Sequence, residues 1–226
     1  TLDSFTLSNS TIPSNNSLSM TEASDGSFWI ALAERYNNTS TGLCKLTRNG
    51  GNSFTLFSTS NSSMPENFIN SVCSDVSGKL WMGTNASGVL SFDRNTTWAA
   101  YSTSNSSLPA KMVHSIARDS SGNLWMATSE GLVRYNGSSQ WVVYTVLNSN
   151  LPSSKIRDIR VDSENRKWIS TEKGITVCTV CDTGLEIAAE KTTSDLSFSE
   201  EVSIYPQPAN PTLNIKINNI AAGYCE

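Results

Sequence analysis

Four tryptophans, Trp29, Trp81, Trp125 and Trp168, recur at spacings of 52, 44 and 43 residues. Four prolines, Pro13, Pro65, Pro109 and Pro152, recur at the same spacings. An aromatic residue (Phe5, Phe57, Tyr101 or Tyr144) stands eight positions before each proline, and an Asn-Ser-rich stretch fills the gap. Independent landmarks that share one period mean a repeated unit, and a repeat restricts the fold more than any local propensity does.

Within the third unit, residues 112–119, 123–128, 131–136 and 140–145 read as short strands. Their separators carry Ser-Gly, Ser-Glu-Gly and Asn-Gly-Ser, which is hairpin chemistry. No segment shows a helical period. Four antiparallel strands in about 43 residues is the size of one propeller blade. The expected fold is therefore all-β: a β-propeller of about four four-stranded blades, plus a short C-terminal β segment.

The repeat "LP-x-x-x-V-x-S-I-x-x-D-x-x-G-x-L-W-x-x-T-x-x-G-L-x-x-Y" resembles the two-component regulator propeller family over residues 8–180. That resemblance implies a blade of an extracellular sensor or free propeller, found mainly in Bacteroidota. The second and third repeats fit best. The first carries the insertion "ERYNNTST" and has Ala23 where the others have Asp75, Asp119 and Asp162. The fourth has Asn165 in place of the turn glycine. The Asp-x-x-Gly turns read as Asp residues closing their own turns through backbone N–H groups. One Asp per separate hairpin does not give the converging oxygens that calcium needs. The tryptophans read as core, filling the space between blades.

The repeats divide the chain into blades at about residues 8–59, 60–103, 104–146 and 147–181, preceded by an outer strand at 1–7. Residues 1–7 align with the last strand of each unit. They are expected either to close the fourth blade or to be the remnant of an upstream blade. A polar stretch, 182–201, reads as a linker. "VSIYPQPANPTLNIKINN" then resembles the start of a type IX secretion C-terminal sorting domain, incomplete over 202–226. The matching residues are Tyr205, Pro206, Pro208, Ala209, Leu213 and Ile215, with Gln207 replacing the usual Asn. That resemblance implies export by the type IX secretion machinery to the medium or the outer cell surface.

Net charge is −4 and only 16 % of residues are charged, so no basic track for nucleic acid is expected. No apolar run is long enough for a membrane span. Cys178 and Cys181 form a C-x-x-C, read as a local disulfide or two packed thiols; with His114 the sole histidine, a zinc site lacks ligands. No cofactor or metal is expected.

Strand alternation places the blade-joining loops and the turns between the second and third strands at one mouth of the channel. Propeller ligands are expected there, on loops held by a rigid scaffold. The candidate ligand-binding residues are Arg35, Tyr36 and Asn37 in the insertion, Asn85, Glu130, Glu172 and Lys173 on turns, and His114 and Arg157 early in first strands. Asn70 occupies the same strand position. No catalytic set is evident. The expected role is a binding module for glycan or peptide. Two alternatives stand beside it: a polysaccharide lyase or hydrolase using Glu130 and Glu172, and a structural surface-layer or filament component.

Overall fold

The computed structural model describes residues 3–34, 39–48, 51–179, 181, 202–207 and 210–217. It separates into two compact units, Thr1–Asp182 and Thr183–Glu226. The described residues form strands and no helix.

The first unit is a series of antiparallel meanders. The first sheet holds β1 (Ser17–Glu22), β2 (Phe28–Glu34), β3 (Thr39–Thr47) and β4 (Ser53–Phe57) in that order. The second holds β5 (Ile69–Ser74), β6 (Leu80–Thr84), β7 (Val89–Phe92) and β8 (Trp98–Tyr101). The third holds β9 (Val113–Arg118), β10 (Leu124–Thr128), β11 (Gly131–Tyr135) and β12 (Trp141–Tyr144). The fourth holds β13 (Ile156–Val161), β14 (Lys167–Thr171) and β15 (Gly174–Cys178), three strands among the described residues. These are propeller blades, as the repeat predicts. In the second unit, β16 (Val202–Gln207) and β17 (Asn210–Ile217) pair as a hairpin.

Short strands alone would not hold together; the blades are stable because they stack. Each of the first three sheets buries its Trp-bearing face against the next sheet. Trp29 and Phe57 meet Phe92 at ring distances of 5.8 and 5.4 Å. Trp81 meets Tyr135 at 5.3 Å. Trp125 and Tyr144 pack with Ile156, Ile159 and Ile169. Truncating one of these three tryptophans to Ala is expected to cost about 3–5 kcal/mol. Trp168 departs from the core expectation: it is 42 % exposed, because no described sheet lies beyond the fourth.

The inner strands β1, β5, β9 and β13 lie side by side and are stitched by serines at one repeat position. Val72 N–H donates to Ser19 Oγ at 3.1 Å, and Ile116 N–H donates to Ser71 Oγ at 3.1 Å. Ser115 Oγ donates to Ile159 O at 3.5 Å. Asp158 stands at that position in the fourth sheet.

The Asp turns do more than close themselves. Asp75 Oδ1 accepts from Ser77 N–H and Lys79 N–H at 2.8 and 3.0 Å, as expected. Its Oδ2 also accepts from Trp81 Nε1–H at 2.8 Å. Asp119 and Asp162 hold Trp125 and Trp168 in the same way, each at 2.8 Å. Ala23 leaves Trp29 without this acceptor, and Trp29 Nε1 is buried with no hydrogen-bond partner.

One further device fixes the blade-joining loops. Asn61 Oδ1 accepts Ser58 N–H at 2.7 Å while its Nδ2 donates to Leu56 O at 2.9 Å. Asn9, Asn105 and Asn148 repeat it. Residues 3–16 thus form the same loop, but no strand. Within residues 3–7, Phe5 rests edge-on against Phe54 of the first sheet, with ring centroids 5.5 Å apart. Among the described residues no N-terminal strand pairs with β15, where one reading of the sequence places it; the aromatic anchor Phe5 rests instead on the apolar face of the first sheet.

Candidate functional site

Every inner strand breaks register once, at the same place. Ser17 and Ser19 pair with Leu32 and Ala31, leaving Leu18 out of the ladder. Ile69 and Ser71 pair with Thr84 and Gly83, leaving out Asn70. Val113 and Ser115 skip His114 in the same fashion, and Ile156 and Asp158 skip Arg157. A bulged residue is unpaired and its side chain is re-aimed, which is why such bulges often border functional sites.

The four bulged residues, Leu18, Asn70, His114 and Arg157, converge on one cavity of about 240 Å³. Its remaining lining is Ser19, Ser71, Ser115, Asp158 and Arg160. The cavity is polar, and each of the four blades contributes to it. Asn70 is buried and its Nδ2 donates to Val113 O at 3.0 Å, which orients its carbonyl oxygen as a free-standing acceptor site. Arg160 Nε donates to Asp158 Oδ2 at 3.0 Å. Arg157 forms an ion pair with Glu172, which Lys155 also approaches at 3.4 Å. Partial burial pushes the Glu172 carboxyl upward, but Lys155 and Arg157 outweigh it and hold it below its usual range.

Asn70, His114 and Arg157 thus come together, with His114 between the other two in blade order. Glu172 reaches the cavity only through Arg157. Asn85, Glu130 and Lys173 stand on their turns outside the lining. The turns lie at the same end of the sheets as the bulges: Asn85 N–H donates to Phe68 O and Glu172 N–H to Lys155 O, each at 3.2 Å, directly before an inner strand. Arg35, Tyr36 and Asn37 lie outside the described residues. So do Pro208 and Ala209, whereas Tyr205 and Pro206 lie in β16 and Leu213 and Ile215 in β17. Cys178 and Cys181 are joined by a disulfide.

Sequence reading missed Ser19, Ser71, Ser115, Asp158 and Arg160 as lining. The recurrence of Ser at one position in three units was the available signal. Among the described residues no group of His, Cys, Asp or Glu is arranged to hold a metal ion. Glu172, one of the two carboxylates considered for hydrolysis, is committed to two cations. No helix among the described residues is long and apolar enough to cross a membrane.

Two stretches of the chain, residues 63–86 and 107–130, match the sequence profile described as "Two component regulator propeller". No protein of curated function matches the chain. Among solved structures, the extracellular domain of a B. thetaiotaomicron protein assigned to the hybrid two-component systems is similar at 21 % identity and a TM-score of 0.64. The similarity covers 78 % of this chain and 23 % of that one. A surface component of the type IX secretion system of Porphyromonas gingivalis, PorZ, is similar at 19 % identity and a TM-score of 0.58, over 84 % of this chain and 28 % of that one. Virginiamycin B lyase from Staphylococcus aureus follows at 16 % identity and a TM-score of 0.53, over 74 % of this chain and 57 % of that one. The chain therefore spans about a quarter of the first two and over half of the third, and these likenesses establish the propeller fold.

Proposed function

We propose that the chain is a propeller binding domain, displayed outside the cell, that takes a small polar group in its central cavity. The observation that carries this reading is the convergence of Leu18, Asn70, His114 and Arg157 from four separate bulges onto one pocket. Bulges cost ladder hydrogen bonds, and four at one position line up only the side chains that face the cavity. A volume of about 240 Å³ suits a single sugar unit or a short peptide side chain rather than a large ligand. Asn70, His114 and Arg157 offer a carbonyl acceptor and nitrogen donors, the mixture that hydroxyls and carboxylates require.

The mouth loops then extend the contact to the rest of a glycan or peptide. Export by the type IX machinery belongs to the same proposal. It is supported by the Tyr205-Pro206 and Leu213–Ile215 pattern on the β16–β17 hairpin. The fold likeness to extracellular and surface proteins agrees with it.

The test is a panel of immobilised glycans and short peptides screened against the full chain. Positive members are then re-measured by calorimetry with Asn70→Ala, His114→Ala and Arg157→Ala. Each variant should weaken binding by about tenfold or more, as expected for losing one charge-assisted or buried hydrogen bond. A ligand that binds all three variants as tightly as the parent would place the site elsewhere. Turnover of a bound glycan would shift the reading to the lyase or hydrolase alternative.

A further inference from the structure

In the second and third sheets an aromatic near the end of the third strand stacks on the first residue of the outer strand. Phe92 lies on Trp98 with ring centroids 4.1 Å apart, and Tyr135 lies on Trp141 at 4.3 Å. Each pair completes the surface that receives the preceding sheet's tryptophan: Phe92 meets Trp29 at 5.8 Å, and Tyr135 meets Trp81 at 5.3 Å. Register puts Cys178 at this position in the fourth sheet. It stands opposite Lys167 as Phe92 stands opposite Leu80 and Tyr135 opposite Leu124. Cys178 is bonded to Cys181, and both pack in the cluster around Trp125, with Ile156, Ile159 and Ile169. A disulfide thus takes the place of the stacked ring pair.

Cys181 is anchored on the other side of the interface. It is buried, and its carbonyl accepts from Tyr144 Oη–H at 3.4 Å and from Arg134 Nη1–H at 3.5 Å, both on the third sheet. Tyr144 in turn stacks on Trp125, with ring centroids 5.8 Å apart. One S–S bond therefore ties β15 of the fourth sheet to a residue held by the third. Directly opposed residues of an antiparallel ladder share a face, so Cys178 lies beside Lys167. Lys167 is wholly buried and 3.7 Å from Asp119. Water admitted there would hydrate that ion pair and weaken it.

We propose that Cys178–Cys181 is a redox-operated clasp between the third and fourth sheets. A dithiol reductant opens it. One thiolate of the reductant attacks Sγ of Cys178, the less buried of the two cysteines, and the S–S bond breaks with Cys181 leaving as thiolate. The second thiol of the reductant then displaces Cys178. The reductant departs as a disulfide, and its two electrons and two protons remain on the cysteines. Cys181 keeps its hydrogen bonds to the third sheet, but β15 is no longer tied to it. The clasp is closed in an oxidising compartment and open in a reducing one. The fourth sheet also carries Arg157, Asp158 and Arg160, so the clasp steadies one wall of the cavity. That consequence for binding rests on the proposed function; the clasp itself does not.

Hydrogen exchange and cysteine alkylation on the full chain, each read by mass spectrometry with and without dithiothreitol, test this. Without reductant, Cys178 and Cys181 should take up no iodoacetamide; after reduction both should be labelled. Amides of β13–β15 should then exchange about tenfold faster or more, the effect on local opening expected for losing a short disulfide loop. Those of β1–β8 should keep their protection. Cys178→Ser combined with Cys181→Ser should exchange fast in both conditions. Free thiols at both positions in protein purified in air would overturn the proposal. So would unchanged exchange in the fourth sheet after full reduction, or an equal response to reductant in the double variant.

Discussion

Restoring a missing acceptor to Trp29 should stabilise the first blade. In the second, third and fourth blades a carboxylate accepts from the indole N–H at 2.8 Å. In the first, Ala23 occupies that place and Trp29 Nε1 has no partner although the ring is fully buried. An unsatisfied buried donor costs about 1–3 kcal/mol. Ala23→Asp removes that cost but buries a carboxylate near Asp25. Two cations temper the repulsion: Lys45 lies 3.8 Å and Arg94 lies 3.6 Å from Asp25, and Lys45 also lies over the Trp29 ring. The net gain expected for Ala23→Asp is therefore about 1–2 kcal/mol, at the lower end of the range. For a chain of this size that is a rise in Tm of about 2–8 °C. Urea titration and calorimetry on the parent, Ala23→Asp, Trp29→Phe and the double variant give the coupling directly. Trp29→Phe removes the donor, so Ala23→Asp should gain nothing in that background. An equal gain with and without the indole, or a loss in both, would refute the reasoning.

Other outcomes follow from the same interfaces. Asp119→Ala should destabilise by about 3–5 kcal/mol, since Lys167, wholly buried 3.7 Å away, loses its counter-charge; Lys167→Met in that background should recover most of the loss in urea titrations. Acid should weaken the fold through Asp75 and Asp119: burial raises their pKa, but the hydrogen bonds from Trp81 and Ser77, and from Trp125 and Asn123, outweigh it and leave both lowered. A depressed native pKa means stability is present above the unfolded value near 4 and is lost as pH falls further, so the urea midpoint should drop below about pH 4 and do so less in Asp75→Asn. Gly83→Ala should cost about 1–3 kcal/mol in the same titrations, because a Cβ there would meet Val113 Cγ1 at 2.8 Å and Val113 O at 2.9 Å. Cys44 and Cys73 should resist alkylation in native protein at pH 8, as mapped by mass spectrometry, because burial pushes each thiol up to about 11.

The repeat made the blades legible because each landmark does one physical job in each unit. Trp and Pro spacing located the strands, and the third blade's four strands fall within a residue or two of the expected ranges. The Asp turn was only half legible. Its backbone role follows from Asp-x-x-Gly, but the bond to an indole six residues later depends on two strands being side by side. Trp168 was misjudged for a related reason: sequence equivalence assigns a core position, whereas burial needs a neighbouring sheet. The binding cavity was the hardest to see. His114 and Arg157 were picked from their place early in a strand, but strict alternation reads straight through a bulge and gives no hint that Asn70, His114 and Arg157 leave the ladder together.

The repeated bulge separates two kinds of information in each inner strand. Ser19, Ser71 and Ser115 join neighbouring strands, so changing them disturbs the assembly. Leu18, Asn70, His114 and Arg157 sit outside the pairing, so exchanging them alters the cavity and spares their own ladders, although Asn70 also donates to Val113 O of the next inner strand. The cavity wall is thus spelled one letter per blade, and the present spelling is Leu, Asn, His, Arg. A new word can be written by single substitutions, most freely at Leu18, and at Asn70 only with a residue that keeps the donor to Val113 O.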